Sequence, residues 1–179
     1  MNRKTEIVIL CTLFVCIALV SAFTYDKQYK FEGASRCALC HSSSDIGNQY
    51  DIWRNSTHRT AYESLFSEES LEYAEETGMT APSKNVQCLT CHLTGYNASF
   101  ELLGSLYRKD DGVSCEGCHG NGGGYSYFSI MMDRELAIEK GLVESPVNTC
   151  VACHSGECPF DVPFEFDTFM IKIEHPRPD

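Results

Sequence analysis

Positive charge is scarce in this 179-residue chain, where 14 Lys and Arg stand against 25 Asp and Glu for a formal net charge of -11. Nucleic acid is not the partner such a surface suits, because phosphate recognition runs on Lys and Arg; a basic face of another protein is. Apolar runs are short as well. The longest, Ile7 to Val20, falls below the roughly 20 residues that a spanning helix needs. It follows Arg3 and Lys4 and ends at the small residues Val20-Ser21-Ala22, which is the pattern of a secretory signal cut before Phe23. No stretch alternates apolar and polar side chains long enough for a strand, so sheet architectures are not expected. Histidine is rarer still, at six residues.

These shortages set the domain plan: residues 1-22 as signal peptide and 23-179 as one domain, in the periplasm or otherwise exported. Removing Arg3, Lys4 and Glu6, net +1, takes the charge from -11 to -12. Cys11 and Cys16 lie inside the apolar run, and neither follows the small residue that a lipid-attachment site has, so both leave with the signal.

What remains plentiful is cysteine. Eight of the nine cysteines after the signal sit in pairs two residues apart, and every pair is followed by histidine: Cys37, Cys40, His41; Cys88, Cys91, His92; Cys115, Cys118, His119; Cys150, Cys153, His154. Disulfides within such pairs would close loops too small to add much stability. A c-type heme, by contrast, needs two thiols spaced for its two vinyl groups and an imidazole that reaches iron from one face, and Cys-x-x-Cys-His supplies all three. Two four-thiolate zinc sites, Cys37/Cys40 with Cys88/Cys91 and Cys115/Cys118 with Cys150/Cys153, are the alternative, but they leave four histidines without a purpose. The pattern reads as four heme c, attached in the oxidising compartment that the signal implies.

The motif starts, at 37, 88, 115 and 150, are 51, 27 and 35 residues apart, too irregular for a solenoid. Helix signals between them are brief. Ser67 caps Glu68 to Thr77 and Gly78 stops it; Asp133 opens a segment through Lys140 that Gly141 ends. Phe166, Phe169, Met170 and Ile173 fall at i, i+3, i+4 and i+7, an amphipathic helix that Pro176 stops. The fold class is mainly α with long irregular loops, a compact tetraheme arrangement in which about 40 residues per heme force the cofactors together and make them the core.

Six histidines less four proximal ones leave His58 and His175, so at most two irons gain a second imidazole. Three segments carry a family likeness: Trp53-Arg54-Asn55-Ser56-Thr57-His58 after the first motif, Cys88 to Asn97 (CLTCHLTGYN), and Ile173-Glu174-His175-Pro176 at the end. In content and order they resemble the multiheme cytochromes of the cytochrome c-554 type, over nearly the whole mature chain. The resemblance implies that His58 and His175 are distal ligands, each delivered to a heme other than the one nearest in sequence. It departs after Cys115 to Gly120, where the family's further histidine, in a G-P-G-x-x-H run, aligns with Tyr125. Two irons are then left without a second histidine. Tyr125 could bind one, as tyrosine does in catalase, or pack its ring on a porphyrin; Met79, Met131 and Met132 could each ligate but suit the core better, and Met170 is already accounted for by the apolar face of the last helix.

Two functions follow. The first is electron relay between redox proteins outside the cytoplasm, docking through a basic partner face, with a membrane-attached donor or acceptor compatible. The second is reduction of a small molecule such as nitric oxide, nitrite or hydroxylamine at an open iron, for which no Lys, Arg or spare His stands out as proton donor. A polymer held by shared ligands would need a histidine to donate, and none is left over. Cys158 has no partner in the pattern. Gly120 to Gly124 reads either as backbone that approaches a heme closely or as a plain flexible loop.

Overall fold

The computed structural model describes residues 28-144, 146-156, 158-160 and 163-176. The signal segment, Cys11 and Cys16 lie outside the described residues. Among the described residues, ten short α-helices follow one another: α1 Ala34–His41, α2 Gln49–Arg54, α3 Ala61–Ser64, α4 Glu68–Thr77, α5 Val86–His92, α6 Cys115–His119, α7 Phe128–Met131, α8 Arg134–Glu139, α9 Pro146–Val151 and α10 Phe166–Met170. Among the described residues the only β pairing is an isolated parallel bridge between Phe31 and Leu103.

The cap residues account for the helix limits. Ser67 accepts from Ser70 N at 3.2 Å at the start of α4, and Gly78 ends it in the left-handed region at φ 68°. Asp133 accepts from Leu136 N at 3.0 Å to open α8, with Gly141 just past its end at φ 104°. The last helix is shorter than its apolar spacing suggests: α10 ends at Met170, and Lys172 N and Ile173 N then bond three residues back, to Phe169 O and Met170 O. The turn tightens before Pro176 acts, while Phe166, Phe169, Met170 and Ile173 stay half-buried on one side.

Protein side chains make little core. Ala34, Trp53, Leu65, Ala74, Leu93, Tyr125 and Ala137 are the buried apolar residues, three of them alanine, and no large side chain is fully buried among the described residues. Large apolar groups instead lie open, Phe100 at 86% and Leu39 at 70% exposure. Such a chain buries too little apolar surface to offset its conformational entropy alone, which matches the expectation that bound cofactors complete the interior.

One polar contact organises the N-terminal part. Glu116, inside α6 and 3% exposed, accepts from Glu32 N at 2.8 Å, Gly33 N at 2.8 Å and Gly122 N at 2.7 Å. Burial pushes its carboxyl up, and the three backbone donors work against that shift. The clasp fastens residues 32-33 and the glycine loop to the third motif. Replacing Glu116 by Gln turns a donor toward these N–H groups, and chemical denaturation of Glu116→Gln is expected to show a loss of about 1–3 kcal/mol.

Candidate heme centres

Each Cys-x-x-Cys-His segment lies on a short helix or at its end. In α1, α5 and α6 the histidine is the last helical residue, so one turn carries both thiols and the imidazole. In α9 the helix stops at Val151, yet His154 N still bonds Cys150 O at 2.9 Å and keeps the fourth motif wound.

Three of these imidazoles are held at Nδ1 by groups that only accept or can accept: His41 by Gln49 Oε1 at 3.2 Å, His92 by Ala61 O at 2.7 Å and Ser64 Oγ at 3.2 Å, and His119 by Val143 O at 3.1 Å. A carbonyl acceptor fixes the proton on Nδ1 and leaves the lone pair on Nε2, the arrangement a metal-binding histidine requires. The fourth, His154, stacks on Phe164 with ring centres 4.8 Å apart and meets Phe169 of α10 edge-on at 5.6 Å. The apolar face of α10 is therefore turned toward the fourth motif.

The remaining two histidines face motif histidines distant in sequence. His58 and His154 have ring centres 6.1 Å apart, and His119 and His175 lie 5.7 Å apart. An iron between two imidazoles, with metal–nitrogen bonds of about 2 Å and ring centres about 1 Å beyond each nitrogen, sets the centres about 6 Å apart. Both pairs fit a heme iron. Burial, and then the neighbouring His154, holds His58 below the usual histidine range; burial, and then His119, does the same for His175. Both rings are thus kept neutral with a lone pair to give. Neither His41 nor His92 has a second histidine ring in such a pair among the described residues.

The sequence signatures place His58 mechanically. Trp53 is buried and its Nε1 donates to Val113 O at 2.8 Å; Ser56 Oγ donates to Trp53 O at 2.7 Å and closes α2; His58 O accepts from Val113 N at 2.9 Å. On the other side of the 112-114 segment, Thr94 N donates to Gly112 O at 3.0 Å, Ser114 N donates to Thr94 Oγ1 at 2.9 Å, and Tyr107 OH donates to Thr94 O at 2.7 Å. Residues 112-114 thereby join the second motif, the third motif and His58.

Thiol neighbours set the order of the motifs. Cys37 and Cys115 are hydrogen-bond partners, as are Cys91 and Cys153, and Cys118 lies within electrostatic reach of Cys150 and Cys153. The order is first, third, fourth, second. The hydrogen bond with Cys37, then burial, raises Cys115; burial raises Cys88, Cys118 and Cys150, and burial with the adjacent Cys91 pushes Cys153 up to about 12. These are thiols, all free, and no group of three or more His, Cys, Asp or Glu among the described residues is placed to hold a bare ion. The first zinc grouping is therefore not assembled, since Cys37 meets Cys115 and Cys91 meets Cys153.

Tyr125 is buried, with its hydroxyl donating to Gly120 O at 2.8 Å, and burial, then Cys37, Glu116 and Cys115, drives its pKa upward. A neutral phenol bound to a carbonyl is a wall beside the first and third motifs and a poor ligand. Cys158 lies near Cys88. Glu116 and Gln49 are the site residues that spacing does not reveal, because both read as ordinary polar positions.

The family model described as cytochrome c554 and c-prime matches residues 36-120. A curated relative, cytochrome c-554 of Nitrosomonas europaea, is 29% identical over 124 residues, covering 65% of this chain and 50% of the relative. The match thus spans about half the length of that protein. Among solved structures, the reduced state of cytochrome c554 from Nitrosomonas europaea superposes with a TM-score of 0.55 at 21% identity, covering 84% of this chain and 86% of the other, a likeness of fold.

Gly112, at φ 57°, is where the site tolerates no side chain: a Cβ there would stand 2.7 Å from His58 O and 2.9 Å from Arg59 O. Gly112→Ala is expected to lower the thermal midpoint and to perturb the spectrum of the heme that faces His58. An unchanged midpoint and spectrum would show that the 112-114 junction does not position His58.

Proposed function

We propose that this chain is a member of the cytochrome c-554 family that carries four heme c and works as an exported electron relay, a reading that the family match, the curated relative and the shared fold support, with its attachment motifs arranged first, third, fourth, second. Heme c supplies reversible one-electron oxidation and reduction at iron. The chain's residues supply the rest. Cys37/Cys40, Cys88/Cys91, Cys115/Cys118 and Cys150/Cys153 would fasten the cofactors, and His41, His92, His119 and His154 would bind them on one face.

The observation that carries the reading is the pairing of His58 with His154 and of His175 with His119, at 6.1 and 5.7 Å. Two axial imidazoles leave no coordination position for substrate and favour electron transfer over chemistry. These paired sites are the inner members of the order, while His41 and His92 stand at its ends.

The net charge of -11 suits docking to a basic face on a redox partner. Association would then slow as salt rises. Export rests on the signal pattern at residues 1-22. No helix among the described residues is long and apolar enough to cross a membrane, and a membrane-attached donor or acceptor remains compatible.

A second reading, reduction of nitric oxide, nitrite or hydroxylamine, is favoured by the single-imidazole sites at His41 and His92. Against it, the hydroxyl of Tyr125 is committed to Gly120 O, so it supplies no ready proton.

The test is electron paramagnetic resonance of the oxidised holoprotein, with four hemes established by mass. His58→Ala is expected to convert the heme on the fourth motif from low to high spin, and His175→Ala the heme on the third. An unaltered low-spin count in either variant would refute the ligand assignment. Nitric oxide bound by the reduced protein together with catalytic turnover would move the balance to the second reading. Partner reduction measured by stopped flow is expected to slow severalfold between low and physiological salt; a salt-independent rate would remove the electrostatic docking face.

A further inference from the structure

We propose that Gln49 is a positioning residue that ties the imidazole of the first motif to the segment presenting His175 to the third, so that one amide sets the proton on His41 and the placement of His175. The inference rests on the reading of His41 and His175 as axial ligands.

Gln49 opens α2 and is 8% exposed. Its Oε1 lies 3.2 Å from His41 Nδ1, while its Nε2 donates to Pro176 O at 2.9 Å and to Ile46 O. The two carbonyls can only accept, so they fix which end of the amide is nitrogen and leave the oxygen for His41. Turning the amide over would break all three contacts at once. The neighbourhood is built to the same fit: Gly47, at φ 101°, would with a Cβ stand 2.9 Å from Pro176 Cβ and 3.0 Å from Gln49 Nε2. Residues 46-49 are thus pressed on the chain end next to His175, whose ring lies 5.7 Å from His119.

The chemistry gives the two arms different signatures. A neutral amide oxygen is a moderate acceptor for the Nδ1 proton of His41. A carboxylate in its place would draw that proton harder, make the imidazole a stronger donor through Nε2 and stabilise the oxidised iron it binds. An aliphatic side chain would do the reverse. The nitrogen arm carries no such electronic effect on His41; its loss frees Pro176 and loosens His175.

The experiment is potentiometric titration of the full heme-loaded chain, followed by absorbance and electron paramagnetic resonance. Gln49→Glu is expected to lower the midpoint potential of one heme and Gln49→Leu to raise the same one, and both to broaden the low-spin signal that His175→Ala abolishes. Gly47→Ala, which crowds Pro176 and the nitrogen end of the Gln49 amide rather than the oxygen that faces His41, is expected to disturb that low-spin signal more than the potential. Gln49→Glu keeps the side chain's shape, so it reads out the His41 arm even if Gln49→Leu fails to load heme. Shifts of the same sign in the two Gln49 variants, or an unmoved potential in Gln49→Glu, would overturn the proposal. A low-spin count unchanged in His175→Ala would instead overturn the ligand assignment beneath it, which keeps the two failures distinct.

Discussion

The junction at residues 112-114 is the contact on which the rest of the structure depends. Within three residues, Gly112 O accepts from Thr94 N, Val113 N donates to His58 O while Val113 O accepts from the Trp53 indole, and Ser114 N donates to Thr94 Oγ1. This short segment enters the third motif at Cys115, so it fixes that motif against the chain leaving the second and against the loop that carries His58. Ordering so much chain with so few buried apolar groups requires satisfied backbone polar groups at close quarters. The positive φ of Gly112, with two carbonyls under 3 Å from where a Cβ would be, follows from that closeness.

From this junction the arrangement of sites follows. The Glu116 clasp brings residues 32-33 to α6, which sets Cys37 beside Cys115; on the far side α6 touches α9, which sets Cys118 near Cys150. The chain end returns through α10, lays Phe169 against His154 and delivers His175 to His119. Long sequence separations therefore become ring contacts: His58 meets a histidine 96 positions on, His154, and His119 meets one 56 positions on, His175. A relay with paired imidazoles inside and single ones at its ends is the simplest electronic reading of that geometry.

Much of this was legible in the sequence, and the reasons are local. Helix α4 was readable from Ser67 and Gly78, and α8 from Asp133, because a cap and a left-handed stop depend only on neighbouring residues. The four Cys-x-x-Cys-His segments were readable because heme attachment needs fixed spacing within one turn. The Trp53-to-His58 segment pointed to a distal ligand only by family likeness; that Trp53 anchors to Val113 depends on residues 60 positions away. Glu116 and Gln49 were invisible for the same reason, since a buried carboxylate and a shared amide are defined by partners across the fold. The length of α10 was overestimated because apolar spacing persists through Ile173 while the backbone has already tightened to three-residue bonds.

The central claim is that two hemes are held between paired imidazoles and lie inside a first, third, fourth, second order. A crystal structure of the heme-loaded protein, with iron located by anomalous scattering, measures this directly. The account predicts irons between His154 and His58 and between His119 and His175, adjacent to each other, with the irons of His41 and His92 outermost. An iron bridged by His58 or His175 to any other histidine, or an order following the sequence, would contradict it.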